Sequence, residues 1–459
     1  MTIRRKALLS LLCAPLAVGL GALALAGCNN NSGTASTGPS PAGGGGAPAA
    51  GSGDKIVVAW AEWDPAKQLQ KLSEEFTKET GVAVEVQQIP WSDFENKIKL
   101  AWSGKDSTYD CIVGDSQWLG KAATSGHYLE LTDWAKTGVP VADIAPAALK
   151  NYGEYPAGSG KLWAVPCMSD GIAFAYRKDL FDAAAEKTAF QAKYGRPLAP
   201  PKNWQEFAQV AEFFTRPDKN LYGAALFYSK EYDGATMGFD QVLWSYGGKL
   251  SDGKKAEGVI NSPEAVKALE FYAGLKKFCP PGAENFYFSE SLTAFQEGKV
   301  AMAMNWAAFF PDLVDPAKNK FADRTGYFAM PEGPEGRFVS LGGQGISISA
   351  YSKNQDAAKK FVEWFSKTDT QKKWAAMGGL TANTKVAATD EFKKARPYNA
   401  VFAETVPHLQ DFYNTPEYSE LLTPMQRELS AAFSGSKSAK DALDAIAKEH
   451  QAILDKAGA

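Results

Sequence analysis

The sequence predicts an α/β protein with two or more lobes. The chain has 459 residues, more than the roughly 250–300 residues that one hydrophobic core supports. Short β-branched runs alternate with amphipathic runs that carry helix start and stop signals, which is typical of parallel strands with helices packed on both faces. Hydrophobic residues make up 45% and charged residues 22% of the chain, an ordinary globular composition.

The first elements of the folded body are well marked. Residues 56–60 are predicted as a strand. The next run is predicted as a helix with Asp64 as its N-cap, Pro65 in its first turn and Gly81 after its end. A strand over residues 82–86, a helix over 94–102 and a strand over 111–113 follow.

The same alternation continues to the end of the chain. Asn203 and Glu206 have capping-box spacing and predict a helix start. The remaining predictions are strands over residues 173–176, 222–228, 300–304 and 344–348, helices over 239–246 and 357–365, and C-terminal helices through Ala442, Ile446 and Ile453.

Aromatic and polar side chains follow two of the predicted strands. In parallel sheets, ligands bind beyond the carboxyl ends of the strands, so both groups are expected to face one crevice. The chain carries 12 Trp, 17 Tyr and 26 Phe, more than a minimal core requires. The first group is Trp60, Glu62 and Trp63, and the second is Asp115, Gln117 and Trp118.

The N-terminal region predicts an export signal and a tether. A basic start is followed by an uncharged run over residues 7–26, interrupted by Pro15 and ending in small residues, which is typical of a signal peptide. The sequence Leu-Ala-Gly before Cys28 resembles the bacterial lipobox, so residues 1–27 are predicted to be removed and Cys28 to be lipidated. A retained membrane helix is the alternative. Residues 28–53 are predicted to be a disordered tether, because a Gly/Ser/Pro/Ala tract has little apolar surface to bury.

Charge and composition narrow the function classes. The net charge of −3 argues against nucleic acid as a partner, because phosphate recognition needs a basic face. Three widely separated histidines and no C-x-x-C motif give no basis for a metal, a cofactor or redox chemistry. Beyond the signal and Cys28, the cysteines are Cys111, Cys167 and Cys279, which allow one disulfide at most.

No catalytic motif is present in the sequence. Neither a complete phosphate-binding loop, nor H-E-x-x-H, nor Gly-x-Ser-x-Gly occurs. Carboxylates are numerous, but no pair is marked out by its spacing, so the expectation is a protein that is not an enzyme. A secreted enzyme that acts on polysaccharide with two carboxylates stays open as an alternative.

Four segments in order resemble the extracellular solute-binding proteins of ABC importers, in the maltose-binding-like group that prefers carbohydrates. Arg177 stands where that family usually has asparagine. The segments are residues 110–115 with 126–131, residues 162–166 with 174–181, residues 295–306, and residues 342–349 with Ala358, Phe361 and Trp374.

The resemblance implies a type II periplasmic-binding-protein fold, in which a ligand cleft lies between two lobes joined by a multi-segment hinge. It implies chain crossings near Pro166, Gly343 and Gly379, where glycine tolerates the backbone change of closure. It places residues 54–166 and 344–380 in lobe one, and residues 167–343 and 381–459 in lobe two.

In such a cleft the candidate residues suit a sugar. Flat aromatic side chains cover the apolar C–H faces of a pyranose, while carboxylates and amides pair with its hydroxyls. Core packing is the alternative for each tryptophan, and a helix cap is the alternative for Asp115. The expected ligand-binding residues are Trp60, Glu62, Trp63, Asp115, Gln117, Trp118, Asn305, Trp306, Gly343 and Gln344.

The resemblance also implies partners and a location. We expect a monomer that captures a mono- or oligosaccharide and delivers it to membrane permease subunits, outside the cytoplasm and anchored to a bacterial membrane through Cys28. A binder of a polyamine, phosphodiester or peptide, or a protein that presents ligand to a sensor, stays open. Excess Asp and Glu in the cleft would favour amines and excess Lys and Arg phosphates; the sequence shows neither excess.

Overall fold

The computed structural model describes residues 55–458. The predicted signal peptide, Cys28 and the tether over residues 28–53 lie outside the described residues. Strands over the described part are β1 Lys55–Ala61, β2 Ala83–Ile89, β3 Cys111–Asp115, β4 Val165–Arg177, β5 Tyr222–Ala225, β6 Val300–Trp306, β7 Thr325–Phe328, β8 Val339–Ile348 and β9 Leu409–Gln410.

Helices flank these strands along the whole described chain. They are α1 Asp64–Thr80, α2 Trp91–Gly104, α3 Ser116–Thr124, α4 Thr132–Gly138, α5 Pro146–Tyr152, α6 Lys178–Asp182, α7 Ala184–Tyr194, α8 Trp204–Phe214, α9 Gly234–Ser245, α10 Pro263–Leu275, α11 Phe288–Gln296, α12 Pro311–Val314, α13 Gln355–Ser366, α14 Thr368–Ala376, α15 Thr384–Ala387, α16 Asp390–Ala395, α17 Asn399–Thr405, α18 Tyr418–Phe433 and α19 Ala439–Ala457. The predicted α/β class is confirmed.

Strand pairing is mixed, so the prediction of parallel strands is only partly correct. The strand order is β2-β1-β3-β8-β4-β6-β5, with β7 on β4 and β9 on β8. The β1–β2, β1–β3 and β5–β6 pairs are parallel, as helical crossovers require. The strands in the middle, β3, β8, β4 and β6, pair antiparallel. Helix–strand alternation predicts the outer pairs, but it does not reveal the antiparallel pairing of β8 with β4 in the middle of the sheet.

The long strand β4 links the two halves of the molecule. Its first part, residues 165–171, pairs with β8, and its second part pairs with β6 and β7. The β4–β8 register shifts between Pro166 and Met168, where the sequence predicts a chain crossing.

Buried apolar residues form two clusters, which we call the first core and the second core. The first core contains side chains of β1, β3, α1, α2 and α13, and the second contains side chains of α8, α9, α10, α18 and α19. The body is therefore two-lobed. The exact lobe boundaries at residues 166, 343 and 380 stay a prediction. Buried side chains between residues 382 and 402, predicted in lobe two, belong to the first core.

Most of the helix signals in the sequence agree with the helices of the structure. Asn203 caps α8 by accepting a hydrogen bond from the amide of Glu206 at 2.9 Å, as predicted. Helix α1 begins at Asp64 rather than after it, and Trp63 is the N-cap residue. Cys111, Cys167 and Cys279 are free and buried. Among residues 55–458, no helix is both long and apolar enough to cross a membrane.

Candidate functional site

A cavity of about 590 Å³ lies between the ends of β1, β3 and β6 and the middle of β8. Its size is within the range of small-molecule sites. The side chains and backbone around it come from Glu62, Trp63, Pro90, Trp91, Ser92, Glu95, Asn96, Asp115, Ser116, Gln117, Asp170, Glu231, Tyr232, Asp233, Tyr287, Phe288, Trp306, Phe309, Leu341, Gly342, Gly343 and Gln344.

Seven of the ten residues expected to bind ligand line this cavity. They are Glu62, Trp63, Asp115, Gln117, Trp306, Gly343 and Gln344. The structure therefore brings together the ends of β1 and β3, the end of β6 and the crossing strand β8. Contact of these residues with a ligand remains a prediction.

The other three predicted residues lie behind the cavity wall. Trp60 is fully buried, and its indole Nε1 donates a hydrogen bond to Gln344 Oε1. Trp118 is buried with its ring centroid 5.0 Å from that of Phe94. The Asn305 amide nitrogen donates to the Phe288 carbonyl at 2.9 Å. Alternation along β1 and β6 turns Trp60 and Asn305 into the interior. The burial of Trp60 and Trp118 favours the core alternative for both, and their contact with a ligand stays a prediction.

The wall on the side of the first core is aromatic. Trp63 is 8% exposed and is the second residue after β1. Its ring centroid lies 5.2 Å from that of Trp91 and 5.9 Å from that of Phe309. The indole nitrogens of Trp63 and Trp91 are buried and have no hydrogen-bond partner among the described residues. Such unpaired donors are available to an acceptor atom of a ligand.

Asp115 is the centre of the polar network in the cavity. Its Oδ1 accepts a hydrogen bond from Gln344 Nε2 at 2.7 Å, and its Oδ2 accepts one from the Tyr232 hydroxyl at 2.8 Å. Asp115 precedes α3 but makes no side-chain cap, so the helix-cap alternative does not describe it. Burial raises the pKa of Asp115 to about 6, although both hydrogen bonds lower it.

The opposite wall belongs to the second core and carries a second carboxyl group. Asp233 Oδ1 accepts from the Tyr287 hydroxyl at 2.5 Å, and its Oδ2 accepts from Gln117 Nε2 at 3.4 Å. The Trp306 indole nitrogen donates to the Tyr287 hydroxyl at 3.4 Å. Burial, together with the charge of Asp115, raises the pKa of Asp233 to about 7.

Several lining residues were missed because no pattern in the sequence marks them. Tyr232 and Asp233 stand in the loop before α9, and Tyr287 is the N-cap residue of α11. Tyr232 has a φ of 47°, an uncommon value for a bulky residue. Trp91 follows Pro90 at the start of α2, beyond the end of β2. The strand-end rule would have found Trp91 if the end of β2 had been placed correctly.

The predicted glycine at the crossing has a geometric reason. Gly343 has a φ of 109°, in the region that favours glycine. A Cβ on Gly343 would lie 2.5 Å from the Met168 carbonyl oxygen, and one on Gly342 would lie 2.6 Å from the Trp306 ring. The two glycines let β8 pack closely against β4 and let Trp306 reach the cavity.

The charge of the lining differs from the expectation of no acidic surplus. Within the described chain, six carboxyl groups and no lysine or arginine line the cavity. Asp170 is one of them, and burial raises its pKa to about 8 despite hydrogen bonds from backbone amides. The carboxyl groups are those of Glu62, Glu95, Asp115, Asp170, Glu231 and Asp233. The sequence could not show this because the acids come from five separate segments.

No metal centre accompanies these acids in the part of the chain that the structure describes. No group of three or more His, Cys, Asp or Glu side chains there is arranged to hold an ion. His127 lies outside the cavity, where its ring stacks on Trp102 with centroids 4.9 Å apart. The site can therefore hold a ligand through aromatic faces, amides, hydroxyls and carboxyl groups.

Known proteins resemble this chain along most of its length. A probable amino-acid ABC transporter periplasmic-binding protein of Sinorhizobium fredii is 24% identical over 414 residues, covering 89% of this chain and 91% of that protein. A mannitol-binding protein of Pseudomonas aeruginosa is 27% identical over 319 residues, covering 65% and 71%.

A solved structure agrees with the fold. The ABC transporter solute-binding protein of Agrobacterium radiobacter, crystallised with ribitol, superposes with a TM-score of 0.75 at 25% identity and covers 87% of this chain and 99% of its own. The family model for bacterial extracellular solute-binding proteins matches residues 30–372. This chain therefore belongs to the family of bacterial extracellular solute-binding proteins.

Proposed function

We propose that this protein is the substrate-binding component of an ABC importer and that its ligand is a carbohydrate. One observation carries the proposal: aromatic rings and neutral hydrogen-bonding groups from both cores converge on one cavity of about 590 Å³. Rings such as Trp63 and Trp306 suit the C–H faces of a sugar. Amides such as Gln117 and Gln344 suit its hydroxyls.

The relatives support a ligand rich in hydroxyl groups. One relative is a mannitol-binding protein, and a similar structure was crystallised with ribitol. Another relative is described as a probable amino-acid binder. The carboxylate of an amino acid is usually paired with arginine or lysine, and no such residue of the described chain lines this cavity. A carbohydrate therefore fits this lining better than a free amino acid.

Binding would act through closure of the cleft. Asp115 and Trp63 lie on one wall, and Asp233 and Trp306 lie on the other. A ligand that contacts both walls binds the closed form better than the open form, and this difference in affinity shifts the population towards closure. The β4–β8 crossing, with its irregular register near Pro166, is the proposed hinge. The closed form would then dock on the permease subunits.

The N-terminus is proposed to hold the protein at a membrane. The uncharged run and the motif that ends at Cys28 support export and lipidation. Cells that produce the full-length chain and a Cys28→Ala variant should be fractionated. We expect the wild type in the membrane fraction and the variant in the soluble fraction. Membrane retention of the variant would instead support a retained N-terminal helix.

A ligand screen tests the carbohydrate proposal. The purified full-length protein should be melted in the presence of sugar alcohols, monosaccharides and disaccharides, and the positive ligands should be titrated by calorimetry. We expect at least one carbohydrate to raise the melting temperature, because a ligand that binds only the folded state stabilises it. Stabilisation by an amino acid or peptide and by no carbohydrate would contradict the proposal. Release of reducing ends from a glycan would show that the protein is an enzyme and would contradict the proposed binding function.

A further inference from the structure

Two carboxyl groups approach the same network from opposite walls of the cavity. Asp115 ends β3, and Asp233 precedes α9. Gln117 donates to Asp233 at 3.4 Å, and Tyr232, which adjoins Asp233 in the chain, donates to Asp115 at 2.8 Å. Both carboxyl groups are buried deeply enough that their pKa values rise to about 6 and about 7. The two carboxyl groups therefore share one site of low polarity, where their like charges repel each other.

No basic side chain of the described protein offsets these charges. Every hydrogen bond to the two carboxyl groups comes from a neutral amide or hydroxyl. Lys99 forms an ion pair with Glu95 at 2.6 Å, and Lys230 and Arg427 line a separate surface depression. The ionisable groups that interact electrostatically with Asp115 and Asp233 all carry a negative charge when they ionise; they are Glu95, Asp411, Asp240, Tyr128, Tyr232, Tyr287 and Tyr418.

The aromatic side chains of the cavity place a second, independent requirement on the chemistry of the ligand. The faces of Trp63, Trp91 and Trp306 attract cations as well as C–H groups. The buried and unpartnered indole nitrogens of Trp63 and Trp91 are donors, so they need an acceptor oxygen on the ligand. The cavity thus calls for one molecule that carries both oxygen acceptors and a positive charge.

We propose that the physiological ligand is a carbohydrate with a protonated amino group, and that this ammonium group lies between Asp115 and Asp233. The inference rests on the proposed carbohydrate-binding function and adds the charge class of the ligand. The ammonium group supplies the charge that the protein lacks, and the hydroxyl oxygens accept from the two indoles. Sugars with carboxylate or phosphate groups are excluded by the same six carboxyl groups.

Matched pairs of ligands test the charge class. The full-length protein is titrated at pH 7, where the amino sugars are mostly protonated, with glucose and glucosamine, with glucitol and 1-amino-1-deoxyglucitol, and with cellobiose and its diamino analogue chitobiose. Glucuronate and putrescine complete the panel. We expect the amino member of a bound pair to bind at least about tenfold more tightly than its neutral match, since charge-assisted hydrogen bonds in a buried site are the stronger ones.

Variants show whether the two carboxyl groups cause the difference. In Asp115→Asn and Asp233→Asn, the affinity ratio of amino to neutral ligand should fall towards one. The control variant Asp133→Asn removes the same charge from a side chain that is 95% exposed and should keep the ratio. The ratio in the wild type should also be smaller at pH 5 than at pH 7, because protonated carboxyl groups no longer attract the ammonium group.

The outcomes separate this inference from the function on which it rests. Equal affinity for the amino and neutral members of every bound pair would overturn the inference and leave carbohydrate binding intact. A ratio that persists in both Asn variants would also overturn it. Binding of putrescine without any carbohydrate, or no binding at all, would overturn the proposed function itself.

Discussion

The two walls of the cavity are built in different ways. On the side of the first core, Trp63 and Asp115 stand at the carboxyl ends of the parallel strands β1 and β3. On the side of the second core, Tyr232, Asp233 and Tyr287 stand in segments that precede helices. Trp306 alone of these second-core residues ends a strand. One wall thus follows from strand geometry and the other from loop conformation.

The comparison shows which residues of a binding site can be predicted from the sequence. A strand fixes the direction of each side chain by its period of two, so the residues at its end have a determined position. A loop has no such period. The φ of 47° at Tyr232 depends on the packing around it, since the sequence Glu-Tyr-Asp-Gly shows no reason for that conformation.

The largest expected loss of ligand affinity comes from a substitution in the wall on the side of the second core, which we call the second wall. Trp306→Ala should weaken carbohydrate binding by at least about 2 kcal/mol, as expected for a buried aromatic at the centre of an interface. Calorimetric titration with the best carbohydrate of the screen measures the change. Trp306→Phe, which keeps a flat ring, should recover part of the affinity. Unchanged affinity in a folded Trp306→Ala protein would show that the second wall does not contact the ligand.

The next largest loss of ligand affinity is expected in the wall on the side of the first core, which we call the first wall. Asp115→Asn should weaken binding by about 1.5 kcal/mol, because it removes a charged hydrogen-bond acceptor. Its thermal stability should change little, since the side chain does not cap α3. Binding and melting should be measured on the same preparation. A large loss of stability with normal affinity in the surviving folded protein would assign Asp115 a structural role.

The charge of both walls predicts a pH dependence of stability without ligand. Burial raises the pKa of Asp233 and Asp411 to about 7 and that of Asp170 to about 8. The folded protein therefore holds protons that the unfolded chain has released, so its free energy of unfolding falls as the pH rises. Between pH 6.5 and 8 we expect a loss of about 3 kcal/mol.

Thermal unfolding across this window measures the loss. The window avoids the opposite contribution of His450, whose pKa is lowered by burial to about 4. That group stabilises the folded state as the pH rises towards its unfolded pKa of about 6.5. Asp233→Asn should show a smaller decrease than the wild type. A melting temperature that rises from pH 6.5 to 8 would contradict the buried-carboxyl explanation.

The smallest expected loss of ligand affinity comes from Trp60, which lies behind the first wall. Trp60→Phe removes the indole donor to Gln344 and keeps an aromatic ring in the core. We expect a loss of binding free energy of about 0.5–1 kcal/mol, which is the usual contribution of one hydrogen bond. The same calorimetric titration measures it. An effect as large as that of Trp306→Ala would mean that Trp60 contacts the ligand directly.

Much of the fold and about a third of the cavity lining, seven of 22 residues, could be predicted from the sequence. Helix α1 and strand β1 were predicted because Pro65, Gly81 and a β-branched run mark them locally. The antiparallel pairing of β4 with β8 could not be predicted, because it joins residues more than 150 positions apart. For the same reason the sequence does not show that Gln117 meets Asp233, a contact made only after both lobes fold.

The strand β4 also determines how the molecule unfolds. Its residues 165–171 complete the β3–β8–β4 side of the sheet, and its residues 172–177 complete the β6–β7 side. If either lobe melts, the other loses the continuation of a strand that belongs to its own core. Neither lobe is a single continuous segment, so neither can be excised by one cut. The two lobes should therefore lose their structure in one cooperative transition.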